Sequence, residues 1–156
     1  MASAPRPWPE LRKLDYFAGT WIMDGEIRPG AMGPGGKMTE TDRNQWMDGG
    51  FFLVVRSEFM TPMGDGTGAA YMGYEADQRI YTYDEFNSVG EAIHSTGGVN
   101  GNVWTWSGER VTDGVSTKTR LVQTITSPAS YDFKFEISQD GTNWTTVMDG
   151  RATRQK

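Results

Sequence analysis

The residues best suited to chemistry in this 156-residue chain are Tyr83, Glu85 and His94, the last its sole histidine. Phe86 and the turn signal after it, Asn87 to Gly90, suggest a hairpin. In that hairpin Tyr83 faces His94 and Glu85 faces Ala92, leaving the carboxylate diagonal to the imidazole. A phenol, a carboxylate and an imidazole in an apolar setting can orient a polar ligand, or act as a general base with its orienting partner. The Ala76 to Arg79 loop brings Met72 opposite Tyr83 on the other side. Farther along, a plain two-residue turn at Asn100-Gly101 puts His94 on the face opposite Trp104 and Trp106. Only a three-residue loop or a bulge brings it inside with them. A lone strand histidine is also commonly an exposed or hydrogen-bonded structural residue.

Other chemistries find less support. The chain has no cysteine, which excludes disulfides, thiolate chemistry and cysteine-ligated metals. With one histidine, a zinc or iron site would rest on carboxylates alone, and no metal is expected. The glycine-rich stretches Gly30 to Lys37 and Gly64 to Gly68 lack the P-loop pattern and the helix that must follow it. Loops at a rim account for them better.

The aromatic residues suggest a binding cavity. Trp104 and Trp106 share one strand face, and two stacked indoles suit a flat apolar ligand, with Gln123 as a polar handle. Trp46, Met72, Tyr83, His94 and Phe135 complete the expected lining. Met32, Met38, Met60, Met63 and Met72 could let a mouth adapt, or simply fill gaps.

The elements that must position these residues follow from the punctuation. Pro9 to Phe17 reads as the one helix, with Leu11, Leu14 and Phe17 on one side, Pro9 at its entrance and Gly19 past its end. From Gly19 onward, strand-like segments rich in Thr, Val, Ile and aromatics alternate with Gly, Asn and Asp turns. About ten such segments follow one another without a second helix, which predicts an all-β, up-and-down antiparallel barrel. Taken as tight hairpins, Asp113-Gly114 pairs Trp106 with Leu121 and Trp104 with Gln123. Asp140-Gly141 pairs Ile137 with Trp144, Phe135 with Thr146 and Phe133 with Met148. A three-residue loop from Pro128 to Ser130 pairs Ile125 with Phe133 and Gln123 with Phe135. The three hairpins agree on an inner face that includes Trp104, Trp106, Gln123, Phe133, Phe135 and Trp144. Lys118, Arg120, Asp132, Lys134 and Glu136 fall on the outer face.

The formal net charge of −5 argues against nucleic-acid binding. No apolar run reaches the ~18 residues that a spanning helix needs, and the first residues lack the apolar core of a signal peptide. These features predict a cytoplasmic protein without membrane insertion: one domain over 1–156, with 1–8 a loose tail.

Several short motifs resemble the bacterial domain of unknown function 1579 family, in the wider lipocalin-like (calycin) group. They are Leu14 to Trp21 (LDYFAGTW), Trp46 before Asp48-Gly49-Gly50, Gly73-Tyr74 with Tyr81, Gly97 with Asn100-Gly101, Asp132-Phe133, Asp140-Gly141 with Trp144, and Thr153-Arg154. The resemblance implies a closed barrel of calycin type with a central cavity, and no particular reaction. It also implies that Trp21 plugs the closed end beneath a basic residue from the last strand. Arg154 is the candidate, on the alternation of Trp144, Thr146, Met148 and Ala152. Nitrobindins of the same broad group hold haem through a histidine near the C-terminus. Here Asp149 to Arg154 contains none, so no cofactor is expected.

Three functions are therefore open. The first is a carrier or sensor holding a small apolar or amphipathic molecule. The second is a cofactor-independent isomerase, cyclase or hydratase acting on a hydrophobic substrate through Tyr83, Glu85 and His94. The third is a homodimeric interaction module whose barrel is filled by its own side chains.

Overall fold

A computed structural model describes residues 2–30 and 33–156. Ten strands form a closed antiparallel barrel: β1 (Gly19–Ile27), β2 (Gly36–Trp46), β3 (Leu53–Thr61), β4 (Gly64–Glu75), β5 (Ile80–Asn87), β6 (Ala92–Asn100), β7 (Val103–Thr112), β8 (Val115–Ser127), β9 (Ser130–Ser138) and β10 (Thr145–Arg154). Each strand pairs with its sequence neighbours, and β10 returns to β1, so no edge is left open. Met32, one of the methionines considered for the mouth, lies outside the described residues.

Pro9–Phe17 forms a 3₁₀ helix. Its three residues per turn eclipse side chains at i and i+3, which places Leu11, Leu14 and Phe17 on one buried stripe. The helix closes one end of the barrel and is tied there by polar bonds. The Tyr81 hydroxyl donates to the Glu10 carbonyl (2.7 Å), Trp46 Nε1 to Asp15 Oδ1 (2.8 Å) and Asn44 Nδ2 to the Phe17 carbonyl (2.8 Å). Above it an aromatic column fills the closed half. Phe17 meets Trp104 edge-on at 5.6 Å, Trp104 stacks on Trp106 at 5.6 Å and 9°, and Tyr83 lies 5.3 Å from Trp106. The column needs Gly97, because a Cβ there would stand 2.8 Å from Trp106 Cε3 and 2.2 Å from the Thr105 carbonyl oxygen.

The β7–β8 hairpin has the predicted register, Trp106 opposite Leu121 and Trp104 opposite Gln123. Asp113 and Gly114 both take positive φ (52° and 77°), as a two-residue turn matched to strand twist requires. Other turns differ from the sequence reading. Between β8 and β9 the loop is Pro128-Ala129, and a shift between Ile125 and Ser127 pairs Gln123 with Phe133 and Leu121 with Phe135. Between β9 and β10 the Asp140 carboxylate accepts from the backbone N–H groups of Thr142 and Asn143 (both 2.8 Å), organising a longer loop. Ile137 then pairs with Thr145, and Phe135 with Met148. Trp144 leaves the interior and lies outside, with the Arg120 guanidinium 4.0 Å above its ring. Between β3 and β4 the turn is Pro62-Met63, and Gly64 to Gly66 begins β4.

Candidate functional site

The lower wall of the barrel is solid and the upper half is hollow. A cavity of about 360 Å³ begins above Phe17 and Gln123 and reaches the hairpin rim at Met63 and Val89. Much of its wall is apolar, with Met23, Met38, Met72, Phe133, Phe135 and Met148 prominent. One side is different. In a strand, residues two apart share a face, so Glu40, Asp42 and Asn44 of β2 all turn inward with Met38. Glu85 of β5 also lines this chamber, beside Tyr83. Near the rim the Arg110 guanidinium, also lining the cavity, pairs with the Glu91 carboxylate.

Burial governs the electrostatics of this acidic corner. Loss of hydration, the nearby Asp42 charge and a hydrogen bond with Asp42 push the Glu40 carboxyl well above its usual range. Asp42 is raised too, chiefly by burial, with hydrogen bonds from Glu40 and Ser57 opposing the rise. Both carboxyls are therefore pushed toward their neutral forms, Glu40 the further of the two. Glu85 is pushed up to about 8, first by burial and then by the Asp42 charge, against a hydrogen bond from Tyr83 that lowers it. Glu40 and Glu85 keep part of their surface on the cavity, while Asp42 is only 5% exposed and its Oδ1 has no hydrogen-bond partner. Asn44 Oδ1 is likewise buried without a partner.

Among the residues singled out from the sequence, Met72, Tyr83, Gln123 and Phe135 line the cavity. Four others do not. His94 points outward, its side chain 65% exposed and bonded through Nδ1 to Asp84. The physical reason is one residue of loop. Gly90 takes a left-handed φ of 87° and Asn87 N–H bonds the Glu91 carbonyl, so Tyr83 pairs with Ser95 and Asp84 with His94. A one-residue slip exchanges the two faces of a strand, so His94 is separated from Tyr83 and Glu85. Trp104 and Trp106 lie inside the barrel but off the cavity wall, each 1% exposed within the aromatic column. Gln123 is a handle for the protein itself, its Oε1 accepting from Trp106 Nε1 at 2.9 Å. Trp46 sits at the closed end, engaged with the helix through Asp15.

Trp21 is fully buried at that closed end, its Nε1 donating to the Phe17 carbonyl (2.9 Å). The Arg154 guanidinium lies 4.9 Å over the indole and 5.3 Å over the Tyr16 ring, and donates to the Tyr16 carbonyl. Glu40, Asp42 and Asn44 escaped the sequence reading because β2 is polar on both faces. Their signal was nonetheless available through β1: Trp21 pairs with Asp42 and Met23 with Glu40, so an inward Trp21 carries both acids inward.

Fold and cavity together define a closed, ten-stranded antiparallel barrel of calycin type, plugged at one end and hollow at the other. The family model for proteins of unknown function DUF1579 matches residues 6–154, and the chain belongs to that family. Among solved structures, Rv2717c from M. tuberculosis is similar in fold, with a TM-score of 0.72 at 13% identity, over 96% of this chain and 99% of that one. EF1p2_mFAP2b bound to DFHBI is a more distant likeness, with a TM-score of 0.48 at 11% identity, over 94% and 99% of the two chains. No curated protein matches. Among the described residues no helix is long and apolar enough to cross a membrane, and no group of three or more His, Cys, Asp or Glu side chains could hold a metal ion.

Proposed function

We propose that this barrel is a non-enzymatic carrier or sensor that holds a small apolar or amphipathic molecule in its upper chamber. The observation that carries the reading is the chamber itself. Its volume of about 360 Å³ falls within the roughly 300–1,000 Å³ usual for ligand sites. An apolar wall with a few convergent polar groups is the ordinary composition of such sites. The same volume weighs against a barrel filled by its own side chains. The test is a fluorescence titration with the neutral dye N-phenyl-1-naphthylamine, alongside native mass spectrometry of the purified protein. Saturable blue-shifted emission with one dye per chain supports the reading. Absence of dye binding, with no co-purified mass released on denaturation, refutes it.

One observation favours a second reading, a cofactor-independent isomerase, cyclase or hydratase. Glu85, raised to about 8 and facing the cavity beside Tyr83, holds a proton that it could exchange near neutral pH. His94, on the outer surface, has no part in it. Deuterium exchange into a hydrophobic ketone in D₂O, abolished by Glu85→Gln, would favour this enzyme over the carrier.

A further inference from the structure

We propose that Glu40, Asp42 and Glu85 form a head-group subsite for a protonated amine, so that the ligand is an amphipathic amine with its apolar body toward the methionines. The inference rests on the cavity-binding reading and specifies the chemistry of its ligand.

The chamber has an excess of acceptors. Asp42 is 5% exposed, its side chain is directed into the barrel from β2, and its Oδ1 has no donor. Asn44 Oδ1, two residues on along the same inward face, is buried and unpartnered as well. A buried acceptor without a partner is costly, and such groups are uncommon in folded proteins. Glu40 and Ser57 bond the Asp42 carboxyl and still leave its Oδ1 without a partner, and no nearby side chain reaches Asn44 Oδ1. Asn44 Nδ2 is committed to the Phe17 carbonyl, and Trp106 Nε1 to Gln123. Among the described ionisable residues that line the cavity, the carboxyls are Glu40, Asp42, Asp65, Glu85 and Glu91. The one guanidinium is that of Arg110, which is paired with Glu91 near the rim.

What the corner lacks is a compact donor with positive charge. An ammonium group has three donors and no acceptor, and charge-assisted bonds to carboxylates are roughly twice as strong as neutral ones. A hydroxyl brings one donor and a further acceptor. A carboxylate brings acceptors and a repelling charge. The carboxyls do not form a metal-ligating group, which directs the inference to an organic cation. Beyond the corner, Met23, Met38 and Met148 supply flexible thioethers, with Phe133 and Phe135 as flat surfaces, so the body of the ligand meets an adaptable apolar wall.

The experiment measures displacement of N-phenyl-1-naphthylamine at pH 7.5 by octylamine, octanol and octanoate, which share a tail length and differ in the head. Octylamine is expected to displace the dye at about one-tenth the concentration of octanol, with octanoate weakest. In Asp42→Asn the advantage of the amine over octanol should shrink to within about threefold. Should that variant fold poorly by near-ultraviolet circular dichroism, calorimetry on the unmodified protein in two buffers of different ionisation enthalpy replaces it. Amine binding should then release protons from the acidic corner, and octanol binding should not. Equal affinities for amine and alcohol would overturn the head-group assignment while leaving the cavity reading standing. An amine preference that survives Asp42→Asn, or amine binding without proton release, would overturn it too, as would saturable binding of calcium or zinc alone at the same carboxyls. Failure of the dye and all three alkyl compounds to bind would refute the cavity reading itself.

Discussion

Glu85 offers a direct way to test the electrostatics of the chamber without knowing its ligand. Its carboxyl moves from an ordinary value of 4.5 to about 8, through burial and then the Asp42 charge, against the Tyr83 hydrogen bond, with Glu91 raising it further. A carboxyl that holds its proton more tightly when folded than when unfolded makes folding take up protons. Its contribution is most favourable below the unfolded value and is lost as pH rises through the folded one. The slope in that window is about 1.4 kcal/mol per pH unit for one such group. Between pH 5.5 and 7.5 Glu85 alone would therefore cost about 2–3 kcal/mol, or about 1–3 kcal/mol once water in the cavity screens part of it. At about 2–4 °C per kcal/mol for a chain of this size, the midpoint should fall by about 2–12 °C across the window. Glu40 and Asp42, raised in the same sense, steepen the fall. Differential scanning calorimetry of the unmodified protein and Glu85→Gln at four pH values measures the effect. The variant should keep a residual decline from Glu40 and Asp42 but lose the Glu85 part. A midpoint that is flat or rises from pH 5.5 to 7.5, or parallel curves for the two proteins, would refute the reasoning.

Arg154→Ala should destabilise the barrel by about 1–3 kcal/mol in urea, since it removes the cation over Trp21 and the bond to the Tyr16 carbonyl. His94→Ala should change stability by less than about 0.5 kcal/mol and leave dye binding intact, because the His94–Asp84 pair is exposed on the outer surface. Arg120→Ala should cost about 2–4 kcal/mol, because it strands the buried Glu136 carboxylate with Lys134 alone 3.7 Å away. The double variant with Glu136→Gln should recover part of that loss, and equal urea midpoints for the single and double variants would contradict the account.

The legibility of this fold followed the turns. Where two left-handed residues make a tight hairpin, as at Asp113-Gly114, the register was readable residue by residue. At Asn87 to Gly90 the signal was present, but the loop between the paired Phe86 and Ala92 takes in Glu91 as well, one residue more than the turn letters announce. In a structure of period two, that single residue separates His94 from Tyr83 and Glu85. The two-residue turn before Val103 keeps His94 on the face opposite Trp104 and Trp106, as a plain turn at that end predicts. Met72 and Tyr83 were correctly brought opposite each other because the Ala76 to Arg79 loop has the expected length. The acids of β2 were missed for a different reason. Lys37, Thr39, Thr41 and Arg43 alternate with Glu40 and Asp42, so hydrophobicity does not distinguish inside from outside there. Trp144 was misplaced because an indole can also be sheltered by a guanidinium on the outer wall.

The closure of the barrel has a consequence for how the protein acquires its chamber. The hydrogen bond from Arg154 to the Tyr16 carbonyl joins residues 138 positions apart, and β1 and β10 pair residues 121 to 133 positions apart. Contacts this distant are formed against a large loop entropy and place the barrel among slow-folding, non-local topologies. The side chain that covers the Trp21 plug is thus also the latch of the sheet. Before the latch closes, β2 and β5 have no common interior, and Asp42 and Glu85 are ordinary hydrated carboxylates. A molecule recognised by the finished chamber has no counterpart site on the open chain. It would therefore act as a brake on opening, lengthening the life of the closed barrel as the unoccupied fraction falls.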